Sequence, residues 1–290
     1  MNDQPIETPS GKSEATENFP VGSLLIERRL RPHVAAYYAF ARAIDDIADN
    51  PRLDAQEKLR RLDVMELALS GVLGRKEKYA TAINLRDRLL ETNVPFSTAL
   101  DLVSAFKQDA EKNRYRDWDE LMDYCMRSAA PVGRFLLHLH GEEDEAAFAA
   151  SDALCNALQV INHLQDCKDD FLQLDRVYLP EEWMEEAGAE VSMLAEERAG
   201  GPLRAVIDRC IEHSRELARQ ARPLPGLLKS RRLAMEAAVI VEVAGRLLDE
   251  LARRDPLSER VKLGKRQYAA CVARGIWGVL GGGYRTGSGK

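Results

Sequence analysis

A chain of 290 residues can bury a substantial core as one large domain or two small ones. Leucine, alanine, arginine and glutamate dominate while aromatic residues make up only 6%, which favours helices over sheets, so an all-α fold is expected. A formal net charge of -6 argues against general nucleic-acid binding, which needs a basic surface to neutralise phosphates.

Residues 1–18 are polar throughout, lack the apolar core of a signal peptide and are expected to be disordered. Pro20 marks a turn, and Ser23 suits the cap of a short helix running to Arg29. Arg28, Arg29 and Arg31 cluster just before Pro32, whose fixed φ fits the first turn of the next helix. The cluster reads either as a seat for an anion or as solvated surface charge. Residues 32–49, PHVAAYYAFARAIDDIAD, then form one helix with Val34, Tyr38, Ala41 and Asp45 on a common face. Asp45 and Asp49 lie one turn apart and point the same way, with Asp46 beside them. No lysine or arginine follows at the spacing that would pair them, and Arg42 alone stands one turn earlier. Three helices with a purely structural pattern follow, from Asp54, over 79–91 and over 97–113.

The segment DWDELMDYCMRSAAPVGRFLLHLHG enters another helix at Asp117 and Asp119. Its middle, with Ser128, Ala129, Ala130, Pro131 and Gly133, makes a poor helix interior. A kink is expected there, either to pack against a neighbouring helix or to keep a wall thin beside a bulky apolar ligand. His138 and His140 face different sides of a helix and read as ordinary polar positions rather than ligands of one metal.

In ALQVINHLQDCKDDFLQLDRVYLP, residues 157–180, Asn162, Asp166 and Asp170 recur every four residues and stack three oxygen-bearing side chains in one stripe. Leu158, Val160, Ile161, Leu164 and Phe171 supply apolar contacts around it. The stripe is either half of a metal site at the edge of a cavity, or a solvated face in which Lys168 and Asp175 make weak surface pairs. Burying an unpaired carboxylate costs on the order of several kcal/mol, so the first reading needs a positive partner. His163 sits off the stripe and is given no role. Short helices and loops follow Pro180, then a long helix ended by Pro223 and Pro225 and an apolar one over 235–251 that lines the core. The tail, residues 281–290, is expected to be mobile. The five cysteines, Cys125, Cys155, Cys167, Cys210 and Cys271, form no C-x-x-C pair, so neither a disulfide framework nor a zinc site is indicated. No stretch approaches the roughly 20 apolar residues that span a bilayer.

One D-x-x-x-D alone is a weak signal, but two acidic sets on helices more than a hundred residues apart suit a divalent cluster gripping a diphosphate. Magnesium takes a few carboxylates together with phosphate oxygens and water. It would neutralise a departing diphosphate, while Arg42 and Arg176 take the remaining phosphate charge. A carbocation left in an apolar pocket would be stabilised by the faces of Tyr37, Tyr38 and Phe40.

IDDIAD, ALQVINHLQDCKDD and DRVYLP together resemble the squalene and phytoene synthase family of head-to-head isoprenoid synthases, over nearly the whole chain from Phe19. The resemblance implies a single-domain isoprenoid-synthase-type helical bundle around a central cavity over 19–280, between tails 1–18 and 281–290. It implies Mg2+ as cofactor, held by Asp45, Asp49, Asn162, Asp166 and Asp170. It assigns the substrate to Phe19, Arg42, Gln159, Arg176 and Tyr178, and catalysis to Tyr38, Arg42 and Tyr178. Within the family, ENFPVGSLLIERRLRPHVAAYYAFAR and SAAPVGR are most similar to the bacterial hydroxysqualene synthase branch. That implies presqualene diphosphate as substrate, ionised, rearranged and captured by water to give hydroxysqualene for the hopanoid route. Two departures bear on this. Glu17 and Asn18 stand where members that join two farnesyl chains usually carry a serine and a lysine-rich lead-in, and Ala130 stands where the branch commonly has asparagine. No G-x-G-x-x-G fingerprint is present, so no reductive finish is expected. The alternatives are coupling of farnesyl diphosphate and a non-catalytic relative that serves in binding or assembly, against which the retained carboxylates speak. The expected location is the cytoplasm, with a peripheral contact to the inner membrane compatible with an oily product.

Overall fold

A computed structural model describes residues 6–7 and 25–284. The described residues form twelve α-helices and no strand, with one isolated bridge between Tyr115 and Pro180. The chain divides into two compact units, Met1–Lys112 with Arg134–Gly141, and Asn113–Gly133 with Glu142–Lys290.

The first unit is built on α1 (Arg31–Ala48), which packs against α2 (Ala55–Leu69), α3 (Ala80–Thr92) and α4 (Ser97–Asp109). Pro32 sits in the first turn of α1, as expected of a residue that has no N–H to lose there. Val34, Tyr37, Phe40, Ile44 and Ile47 recur at three- and four-residue steps and form its buried face. Tyr37 stacks on Phe135 with ring centroids 4.0 Å apart and donates its hydroxyl proton to the Thr98 carbonyl at 2.7 Å. Phe40 is wholly buried. These two rings are therefore core, which corrects their assignment to a carbocation pocket. Asp54 caps α2 by accepting from the Glu57 N–H, and Asn93 closes α3 at φ 54°, a conformation asparagine tolerates.

Two residues of the stretch expected to be disordered are held in place. Ile6 is buried, its carbonyl accepts from the buried Arg61, and the Glu7 carboxylate accepts from the backbone and hydroxyl of Thr81. Ser23 and Phe19 lie outside the described residues. Residues 25–30 form turns rather than the end of a helix, with Leu30 N–H bonded to the Glu27 carbonyl.

In the second unit α5 (Trp118–Ser128) begins at the capping Asp117, and the expected kink is a clean break at Ala129, φ -122° and ψ -49°. There α6 (Ala130–Leu139) starts, with its residues 134–139 counted in the first unit. A Cβ on Gly133 would stand 2.3 Å from Ser151 Oγ and 2.8 Å from Cys155 Sγ. The small residues thus serve close packing on α7 (Glu145–Leu174), the first of the two explanations offered for the kink. The long α7 packs on α9 (Gly201–Ala221), α10 (Leu224–Leu227) and α11 (Arg231–Arg253), and α8 (Glu181–Ala187) packs on α9. The last helix, α12 (Lys265–Leu280), lies along α11. The start of the tail expected to be mobile is packed as a turn, with Gly283 N–H bonded to the Gly278 carbonyl.

Two glycines make opposite demands. A Cβ on Gly275 of α12 would meet the Val239 backbone nitrogen at 2.6 Å, whereas one on Gly245 of α11 meets nothing within 4 Å. Gly275→Ala is expected to destabilise the chain by about 1–3 kcal/mol, because backbone cannot swing aside. Gly245→Ala is expected to stabilise it by about 0.5–1 kcal/mol through helix propensity. Urea unfolding midpoints of the two variants check the opposite signs.

Candidate active site

In the first unit, Tyr38, Arg42, Asp45 and Asp49 follow one another at three- and four-residue steps along the half-buried side of α1, opposite its buried stripe. The Arg42 guanidinium joins the first three. It donates from Nη1 to Asp45 Oδ2 at 2.9 Å and from Nη2 to the Tyr38 hydroxyl at 3.0 Å. Its central carbon stands 5.7 Å from the Tyr38 ring centroid. The planar fork fixes a phenol and a carboxylate at once, which an ammonium could not do with the same rigidity. Asp46, next to this row, is buried.

In the second unit, Asn162, Asp166 and Asp170 are half-buried on α7, while Asp169 is exposed. Asp166 Oδ2 accepts from Arg260 Nη2 at 2.8 Å, a partner 94 residues downstream. The positive group that an acidic helix requires is therefore partly an arginine of the chain itself.

The Gln159 amide and His163 Nε2 are in hydrogen-bond contact at 3.1 Å, and His163 Nδ1 is a buried atom with no partner among the described residues. The imidazole lies flat on Tyr178, with centroids 3.6 Å apart and planes 5° from parallel, and Tyr124 and Tyr115 extend the cluster. Burial, and then the positive charge of Arg176, push the His163 pKa down to about 3, so the ring is neutral at physiological pH.

Local backbone chemistry explains how Tyr178 reaches His163. Asp175 ends α7 in the left-handed conformation at φ 52°, which turns the chain back on itself. The turn is held by the Arg176 N–H on the Asp170 carbonyl and by an Arg114 ion pair to Asp175. Val177 N–H then bonds the Asn113 carbonyl and Glu181 N–H the Tyr115 carbonyl. DRVYLP is thus a strap pinned at both ends, with Arg176 buried and Tyr178 half-buried between the pins. Asn113, expected at the end of α4, lies beyond its last residue Asp109 and carries one of the carbonyls that pin the strap.

Among the described residues no three histidine, cysteine, aspartate or glutamate side chains gather closely enough to enclose a metal on their own. The two acidic rows offer only carboxylate and amide oxygens, the hard donors that magnesium takes, and magnesium completes its shell with water and phosphate rather than a closed protein cage. The residues present fit that ion.

A family model described as squalene/phytoene synthase matches residues 13–267. This chain belongs to the squalene/phytoene synthase family. It is 45% identical over 254 residues to a hydroxysqualene synthase of Rhodopseudomonas palustris, covering 88% of this chain and 86% of the relative. It is 41% identical over 260 residues to a hydroxysqualene synthase of Zymomonas mobilis, covering 89% and 86%. Among solved structures, the crystal structure of a squalene synthase from Alicyclobacillus acidocaldarius matches with a TM-score of 0.71 and 32% identity, over 83% of this chain and 90% of that one. The all-α fold is that of the helical isoprenoid synthases, as the motifs implied. The family handles prenyl diphosphates.

For this family member, the structure joins Tyr38, Arg42 and Asp45 in one unit, and Gln159, Arg176 and Tyr178 around His163 in the other. Sequence reasoning passed over His163, Tyr115, Tyr124 and Arg260. The available signal for the first was a histidine one residue from Asn162, on the buried side of an otherwise apolar turn. No sequence signal pairs Arg260 with Asp166. No helix among the described residues is long and apolar enough to cross a membrane.

Proposed function

We propose that this chain converts presqualene diphosphate to hydroxysqualene, with the two acidic rows as the magnesium-binding residues and the Arg42 and Arg176 guanidiniums as the phosphate ligands. The reading is carried by the 45% identity, over 88% of the chain, to a protein named hydroxysqualene synthase. The carbon–oxygen bond to the diphosphate breaks with both electrons going to oxygen; the carbocation rearranges and adds water, whose second proton is released. Magnesium, when bound, supplies positive charge that stabilises the departing diphosphate. Arg42 orients the Tyr38 phenol and holds Asp45, one of the carboxylates that would hold the metal. Arg176, buried and charged, favours an anion beside the strap. His163 contributes by staying neutral, because an imidazolium beside Tyr178 would repel a nascent carbocation, whereas the faces of Tyr178 and Tyr124 attract one. The proposed setting is the cytoplasm.

The test is incubation of the purified protein with presqualene diphosphate and magnesium, followed by mass analysis of the product. Hydroxysqualene is expected, with turnover abolished by a chelator and the product unchanged by reduced nicotinamide. A hydrocarbon product that appears only with nicotinamide, or turnover that survives chelation, contradicts the proposal. Product from farnesyl diphosphate alone would move the chain to the coupling reaction.

A further inference from the structure

The C-terminal helix has the wrong surface for a helix facing water. From Lys262 to Lys290 the sequence holds six basic residues, Lys262, Lys265, Arg266, Arg274, Arg285 and Lys290, and no acidic one, in a chain of net charge -6. Arg285 and Lys290 lie outside the described residues. The inner face of α12 is fully used, with Cys271 buried and Gly275 pressed against the backbone of Val239. The opposite face carries Ala269, Ala270, Ala273, Trp277 and Leu280, all exposed. Trp277 is 71% exposed and Leu280 45%. An indole in water at one end of an apolar strip, with arginines along the strip, is the arrangement of a helix that lies in a headgroup layer.

Beside the end of α12 is a cleft of about 450 Å3, lined among others by Leu228, Lys229, Arg231, Val279, Leu280 and Tyr284. It sets Leu228, Val279 and Leu280 beside polar surface and two cations, of which Lys229 is shared with Glu143 at 3.6 Å, so Arg231 is the cation it offers a lipid phosphate. Lys265, Arg266, Arg274 and Arg231 make no ion pair among the described residues, so their charge is available to an external anion. Charge also decides between occupants. A second copy of the chain docked on the same face would set these cations against their own equivalents, whereas an anionic bilayer neutralises them.

We propose that the outward face of α12, with the cleft beside its C-terminal end, docks this protein onto a membrane surface rich in anionic phospholipid. Both components are needed, because a strip of three alanines, one tryptophan and one leucine binds a bilayer weakly without charge, and the charges alone bind without depth. The helix lies in the plane of the surface, where its length of about 24 Å keeps the whole strip in contact. An oily product would then be made beside the phase that dissolves it, but the docking itself does not depend on the catalytic reading.

The experiment is sedimentation of the full chain with vesicles of phosphatidylcholine alone or mixed with phosphatidylglycerol, at low and high salt. Binding to the phosphatidylglycerol vesicles is expected, with little binding to phosphatidylcholine and weakening by salt. Trp277 reports the insertion as a blue shift of fluorescence, since Trp183 is buried and stacked on Trp118. Trp277→Ser with Leu280→Ser, and separately Arg266→Glu with Arg274→Glu, are each expected to weaken vesicle binding by at least about tenfold. Both pairs should leave diphosphate release in detergent solution unchanged, so failure of docking and failure of the catalytic reading are told apart. Absence of binding to anionic vesicles, or binding of both double variants at the parent's strength, overturns the proposal. So does self-association that the Trp277 and Leu280 changes abolish in a chain that ignores vesicles, since the face is then an interface between copies.

Discussion

Asp166→Ala is expected to abolish diphosphate release, with kcat falling by about 10^3-fold or more, equivalent to ~4 kcal/mol of transition-state stabilisation. The expectation rests on Asp166 sitting mid-stripe between Asn162 and Asp170, where its loss removes a hard donor that neither neighbour replaces. The fold should survive the change. Asp166 and its partner Arg260 have 27% and 38% of their side-chain surfaces exposed, so the released guanidinium turns to water and the stability cost stays within about 1 kcal/mol. Pyrophosphate release and the thermal midpoint, measured on the same preparation, separate the two effects. Retention of activity within about tenfold of the parent would remove Asp166 from the metal set.

Phe40→Ala should act in the opposite way, costing about 3–5 kcal/mol of stability. The ring is wholly buried, on the same buried face of α1 as the Tyr37 that stacks on Phe135. Tyr38→Phe, one turn face away, removes only the hydroxyl that accepts from Arg42, and is expected to lower turnover with stability changed by less than about 1 kcal/mol. Equilibrium urea unfolding of both variants checks the contrast. A Phe40→Ala protein as stable as the parent, but inactive, would return that ring to the substrate cavity.

This contrast also marks where the sequence was legible. Both acidic rows could be read because each lies within a few turns of one helix, where four-residue spacing fixes the face. The same rule applied to α1 separates residues 37, 40, 44 and 47 from 38, 42, 45 and 49. Tyr37 and Phe40 are near the acidic motif in sequence but fall in the first set, which is why they are core and not cation pocket. The strap was readable as a motif but not as a shape, since its course depends on Asp175 adopting a left-handed conformation and on bonds to Asn113 and Tyr115, over sixty residues away. The Arg260 partner of Asp166 was illegible for the same reason. The helix α12 was overlooked because Gly275 and Gly278 weaken its propensity and its outward face is apolar. A helix whose exposed side mixes cations with apolar residues gives a blurred amphipathic signal, and the same mixture marks the docking surface.

The proposed reaction requires that a carbocation, freed by loss of diphosphate, be captured by water within this chain. Turnover of presqualene diphosphate in water enriched with heavy oxygen distinguishes that capture from return of the diphosphate oxygen. The hydroxyl of the product is expected to carry the heavy isotope in the proportion present in the solvent. A hydroxyl oxygen of ordinary mass, retained from the diphosphate ester, would contradict it, as would a product with no hydroxyl.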